Sequence, residues 1–189
     1  GDAKVLQGDG AWVTPSAGAL TFISNTDISA AATYNFTSFT AGSYEHYQFV
    51  LQNLIPVTDN VELNCRTSTD GGSSYDSGGS DYSWGVWSGT IDNDTADSEI
   101  ALTGDDGYTV GSAANESGIS GNIWLHAPHT TSYTHVSAVL AFLGADGVMT
   151  RVICSGLRAS AADVDGFQVL FSSGNIESGT ITVYGLANA

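Results

Sequence analysis

Basic side chains are nearly missing from this sequence, which sets 4 Lys+Arg against 20 Asp+Glu for a formal charge of -16. Nucleic-acid affinity comes largely from the counterions that basic groups release, so DNA and RNA are excluded as partners. An anionic membrane surface is repelled for the same reason. Cysteine is scarce too: Cys65 and Cys154 are the 2 present, and their spacing matches neither a zinc nor a redox motif. Both sit inside apolar alternating runs, which reads as two buried thiols or as one disulfide tying two strands. No stretch approaches the length of a transmembrane helix, and nothing at the start resembles a basic-then-apolar signal peptide. The chain starts at Gly1 rather than Met, which reads as a processed product or a piece of something longer. Helical periodicity is the last absence, and it decides the fold class.

Hydrophobic residues make up 42%, with 7 Phe, 8 Tyr and 4 Trp, so the chain can bury a core even though charged residues are only 13%. Its polarity comes from Ser, Thr, Asn and Gly, a surface typical of extracellular or virion β proteins. Runs rich in Val, Ile, Thr, Tyr and Phe recur between Gly/Ser/Asn/Asp clusters. They predict strands over residues 20–24, 32–36, 45–54, 61–68, 81–87, 118–126, 134–142, 149–154, 166–171 and 180–186. Tyr47, Phe49 and Leu51 alternate with Gln48 and Gln52, and Val61, Leu63 and Cys65 alternate with Glu62, Asn64 and Arg66, so these strands have one wet face. Residues 136–142 and 180–184 are more continuously apolar, as expected of central strands covered by a facing sheet. About ten antiparallel strands packed face to face make an all-β, jelly-roll-like sandwich. Asp146-Gly147 and Ser173-Gly174-Asn175 read as turns. Residues 1–16 read as a connector anchored by Trp12, and 17–189 as a single domain.

Two long segments, the glycine-rich 70–79 and the acidic 90–117, read as loops, and loops of this length are where ligand contacts concentrate. Tyr75, Tyr82, Trp84, Trp87 and Tyr108 flank them, with Asp76 beside Tyr75. An aromatic ring next to hydroxyl, amide or carboxylate groups grips a sugar, the ring covering the CH face while the polar groups take the hydroxyls. Trp84 and Trp87 are three apart, so a regular strand sends them to opposite faces and one of them to the core. Asp92, Asp94 and Asp97 offer hard oxygen ligands for Ca²⁺, without an EF-hand pattern around them. His126, His129 and His135 straddle a strand end and a Pro turn, with no thiolate nearby to complete a zinc site. Neither a nucleophile elbow nor a distinctive carboxylate pair is present, so catalysis is not expected.

The segment Leu6-Gln7-Gly8-Asp9-Gly10-Ala11-Trp12-Val13 resembles the connector that precedes the C-terminal β domain of phage tail-fibre proteins. Residues 44–51, 66–78 and 171–186 are similar to recurring phrases of such domains in environmental phages and prophages. The likeness spans nearly the whole chain and rests on turns and core strands. It implies a β-sandwich tip or spike domain on the virion, commonly a homotrimer, that contacts a host-surface glycan or outer-membrane receptor and other virion proteins. The same sequence features also suit a capsid decoration or head-fibre protein with a structural role, or a carbohydrate-binding module of a secreted glycosidase.

Overall fold

The computed structural model describes residues 5–6, 12–13, 20–105 and 107–187. Its strands, in chain order, are β1 (Val5–Leu6), β2 (Trp12–Val13), β3 (Leu20–Ala31), β4 (Tyr34–Phe36), β5 (Tyr44–Pro56), β6 (Leu63–Ser68) and β7 (Tyr82–Trp87). They continue with β8 (Ile91–Asp97), β9 (Ile100–Ala101), β10 (Ile119–His126), β11 (His135–Leu143), β12 (Met149–Arg158), β13 (Gly166–Phe171) and β14 (Ile176–Ala187). A large sheet of eight strands, ordered β3-β14-β5-β10-β11-β12-β7-β8, faces a small sheet of four, ordered β4-β13-β6-β9. Every pairing is antiparallel, so the expected β-sandwich is the fold. β1 and β2 pair only with each other, and the rest of the expected 1–16 connector, including the Trp12 side chain, lies outside the described residues.

Alternation puts the core between the sheets. Tyr47, Phe49 and Leu51 of β5, Ile123 and Leu125 of β10, and Val136, Ala138, Leu140 and Phe142 of β11 all point inward and are buried. From the small sheet Phe167 meets Phe49 with ring centroids 4.6 Å apart, and Phe36 meets Phe49 edge-on at 5.4 Å. Tyr82 ties the layers with a polar contact: its hydroxyl, carried by β7 of the large sheet, accepts the Thr67 N–H of β6 at 2.7 Å. It also lies 3.2 Å from the Asp76 carbonyl, to which it donates. On β10 a Cβ on Gly121 would fall 2.2 Å from the Val139 carbonyl oxygen of β11, and φ there is +145°, so only glycine fits.

Several expectations are corrected by these strands. Segment 90–117 contains β8 and β9, because Ile91–Asp97 finds a partner in β7 that its acidic composition does not advertise. Residues 136–142 and 180–184 bury Val136, Leu140, Phe142, Ile181 and Val183 under the facing sheet, while Val139 points outward and is 51% exposed and Thr182 and Tyr184 also face out. Asp146-Gly147 does close the β11–β12 hairpin, with Gly147 at φ +77°. The Ser173-Gly174-Asn175 turn instead carries the chain from β13 in the small sheet to β14 in the large one.

The two margins of the large sheet differ. β8 carries Asp92, Asp94 and Asp97 along its length, whereas β3 carries Asp27 as its one carboxylate and has Ala30 at φ +50° near its end.

Tyr82→Phe removes the polar tie between the layers and leaves the buried Thr67 N–H without an acceptor, an expected loss of about 1–3 kcal/mol. Chemical denaturation of both proteins measures it, and an unchanged midpoint contradicts the assignment.

Candidate functional site

The outer face of the large sheet is laid out by strand register. One row runs His46, His126, His135, Leu157 and Ser83 across β5, β10, β11, β12 and β7. The next runs Gln48, Trp124, Ser137, Ser155 and Gly85 over the same strands. The third runs Val50, Asn122, Val139, Ile153 and Trp87, and continues to Ile91 on β8. On the other side β14 and β3 add Leu186 and Leu20, Tyr184 and Phe22, Thr182 and Asn25. None of these positions is an Asp or Glu, on a chain whose formal charge is -16.

The middle row produces relief. Ser137, Ser155 and Gly85 are small, so between the Trp124 ring on one side and the larger third row on another the surface sinks into two adjoining depressions that share Ser137 and Ser155. The first, about 370 Å³, reaches His126, His135, Ser83 and Leu157. The second, about 240 Å³, is bordered by Trp124, Gln48, Asn122, Val139 and Ile153. Polar groups along this trough are already held in place. Gln48 Nε2 donates to Asn122 Oδ1 at 2.9 Å, and His126 Nε2 lies 2.9 Å from Ser137 Oγ. The Trp124 and His126 rings are stacked, with planes 13° apart and centroids at 6.4 Å. His46 meets His126 edge-on at 5.3 Å. Burial, then the neighbouring His46 and His135, hold the His126 imidazole below its ordinary pKa, so the neutral ring dominates at pH 7. A ring wall, hydroxyls, amides and imidazoles around one groove are the groups that bind a sugar.

The structure distributes the expected contact residues otherwise than loop reasoning suggests. Tyr82 is fully buried and Trp84 is 3% exposed, so neither offers a ring face to a ligand. Trp84 donates its Nε1–H to Asp97 Oδ2 at 2.8 Å. Asp76 is engaged by Arg158 Nε at 2.7 Å. Tyr75 is half-buried in segment 70–79, and Tyr108 packs against the core with its hydroxyl 2.8 Å from Thr90 Oγ1. Trp87 alone of the set reaches the outer face, 46% exposed, with the Arg151 guanidinium 5.9 Å over its ring. Segment 70–79 is fastened rather than open: Asp70 accepts from Ser68 Oγ at 2.8 Å and from the Ser74 N–H and Oγ at 2.9 and 2.6 Å. These hydrogen bonds hold the Asp70 carboxyl down at a pKa of about 2.

The candidate Ca²⁺ ligands do not converge. Asp92 is buried and accepts the Asp105 N–H at 2.9 Å, Asp94 accepts the Ala96 N–H at 2.9 Å, and Asp97 serves Trp84. Among the described residues no three His, Cys, Asp or Glu side chains gather closely enough to hold a metal ion. His129 parts from His126, lying 3.4 Å from the Tyr47 hydroxyl and 3.3 Å from Asp163 Oδ1. Cys65 and Cys154 are free and buried, which resolves the choice left by the sequence. Burial pushes both thiols up, Cys154 to about 12.

Sequence reasoning missed Trp124, Ser137, Ser155, Gln48, Asn122 and His46. One signal was there: the outward positions of residues 136–142 include Val139, so the continuous apolar run reports an exposed apolar face as readily as a covered one. The register that lines His46 up with His126 and His135 has no trace in the linear order.

No protein-family model matches the chain, and neither a curated protein nor a solved structure matches it significantly.

Asp70 has a folded pKa below its unfolded value, so its contribution to stability is complete above about pH 4 and is lost as pH falls toward 2. A carboxyl titration followed by NMR is expected to give Asp70 a midpoint near 2, and Asp70→Asn removes that part of the acid sensitivity. The thiols are expected to be inert to a thiolate-specific reagent in the native protein and both to react after unfolding. Rapid native labelling contradicts their burial.

Proposed function

We propose that this chain is a non-catalytic adhesion domain of a phage virion, carried at a tail-fibre or spike tip, whose large-sheet outer face grips a host-surface glycan. The observation that carries the glycan reading is the trough beside Trp124, in which Ser137, Ser155, Gln48, Asn122 and His126 surround one groove on rows that carry no carboxylate. A pyranose laid against Trp124 buries its CH face on the ring, while its hydroxyls reach the serine and amide groups. The trough stands on paired strands, so little ordering is needed on binding. The likeness of residues 6–13, 44–51, 66–78 and 171–186 to tail-fibre domains supports the virion setting. Assembly as a homotrimer presents several weak sites together, and avidity does the rest.

A second reading is favoured by one feature of the same face. Val139, Ile153, Trp87 and Ile91 are neighbours along one row and are 51%, 40%, 46% and 79% exposed. A contiguous apolar stripe of this kind marks a protein interface, and a capsid decoration or head-fibre protein buries it against another virion chain.

Trp124→Ala is expected to weaken single-site sugar binding by about 1 kcal/mol, roughly fivefold. The checks are a glycan array and whole-cell binding with the trimerised domain, beside antibody labelling of intact particles. Equal behaviour of the wild type and Trp124→Ala sinks the glycan reading, and label on the capsid shell favours the structural one.

A further inference from the structure

We infer that the glycan taken by this face is acidic, a carboxylate-bearing polysaccharide held along the row His46, His126 and His135. The inference rests on the adhesion reading above and names its ligand class.

Cationic groups are few in this chain, 4 Lys+Arg and 4 His, and their placement is uneven. Arg66 is paired with Glu99 at 2.8 Å and Arg158 with Asp76 at 2.7 Å. His129 faces Asp163 at 3.3 Å. What remains among the described residues is Arg151, over Trp87, and the imidazoles of His46, His126 and His135. All of these stand on the outer face of the large sheet, on the rows without carboxylates or at their border. An anion approaching along these rows meets no carboxylate on them, and the nearest acidic groups of the face stand at its ends, Glu45 beside His46 and Asp27 on β3.

Geometry argues for a chain of charges rather than a single ion. Register makes the three histidines consecutive across β5, β10 and β11, with side chains on one face. Neighbouring strands lie ~4.8 Å apart, so the row is laid out side by side over ~10 Å instead of closing around one point. That step is about the length of one pyranose, so successive acidic sugars of an extended oligomer fall opposite successive imidazoles. The trough lies two residues along each strand, at Trp124, Ser137 and Ser155, and takes the ring faces and hydroxyls. Among the described residues no carboxylate bonds to His46 or His126: His46 Nδ1 is buried without a hydrogen-bond partner, and the partner of His126 Nε2 is the neutral Ser137 hydroxyl.

The groups around the row set the pH response. On β14 the neighbours are Leu186 and Tyr184, on β12 Leu157, and on β7 Ser83. Arg158, next to Leu157, turns inward to Asp76. The bordering carboxylate is Glu45, which shares a cavity with His46 at the strand ends. Protonating His126 is opposed by its burial and then by the neighbouring His46 and His135. A bound carboxylate reverses that balance, so binding takes up protons and strengthens as pH falls through the histidine range.

The test is calorimetric titration of the whole chain with an oligogalacturonate and with the same oligomer after methyl esterification, at pH 5.5 and 7.5. The acidic oligomer is expected to bind about fivefold more tightly at pH 5.5 than at 7.5, as one imidazole raised by about one pKa unit gives over that interval. Esterification is expected to weaken binding at pH 5.5 by at least as much. His126→Gln should flatten the pH dependence, and the exposed His135→Gln, which makes no core contact, guards against a folding artefact by lowering it in part. Equal affinity for both oligomers, or no change with pH, overturns the acidic class while leaving glycan adhesion standing. Binding of neither oligomer also overturns it, and a neutral glycan captured through Trp124 on the array then shows that adhesion survives alone. Blank results in both experiments remove the two readings together.

Discussion

The closure of one sheet over the other governs everything outside it. Phe49 packs against Phe167, and the Tyr82 hydroxyl reaches across to the Thr67 N–H, so β5 and β7 of the large sheet are gripped by β13 and β6 of the small one. The sheets are unequal, eight strands against four, and buried residues of the connecting segments such as Leu102, Val110 and Val164 complete the inner cover. Among the described residues no second sheet covers the other side. The large sheet therefore presents a broad outer face whose backbone is fixed by packing behind it, which is the support that a preorganised contact surface needs.

On that face the absence of side-chain bulk matters as much as its presence. Gly85, Ser137 and Ser155 lower the middle row, and the rings and aliphatic groups on its flanks become walls. The sheet supplies this shape without a loop, and the hydroxyls in it are held at strand spacing. Charge is arranged by exclusion as well. The three rows that cross the middle of the face carry no carboxylate, and Arg151 and three imidazoles stand on them or at their border.

Much of the architecture was legible from residue order. Period-two alternation identified β5 and β6, although β6 buries Asn64 as well as Leu63 and Cys65, and Asp146-Gly147 marked its hairpin through the αL position that glycine fills. Ile91–Asp97 was not legible, since a strand rich in Asp holds its place through pairing with β7 rather than through propensity. Of the expected contact residues Trp87 alone reaches the outer face, because loop flanks are a poor guide where the loops are pinned, as Asp70 pins residues 70–79. Trp84 shows how alternation and a lone tryptophan compete, and burial won. The trough depended on which strands become neighbours: His46 and His126 are eighty positions apart in the chain and side by side in the fold.

The carboxylates on β8 bear on how copies of this domain share a crowded surface. An outermost strand offers its backbone to any similar strand that drifts alongside, and inward or adjacent negative charges make that offer hard to accept. With Asp92, Asp94 and Asp97 on that margin, neighbouring molecules packed at high density can lie flank to flank without zipping into a continuous ribbon. Each copy thus keeps its own identity in a dense array, and its broad side stays turned outward.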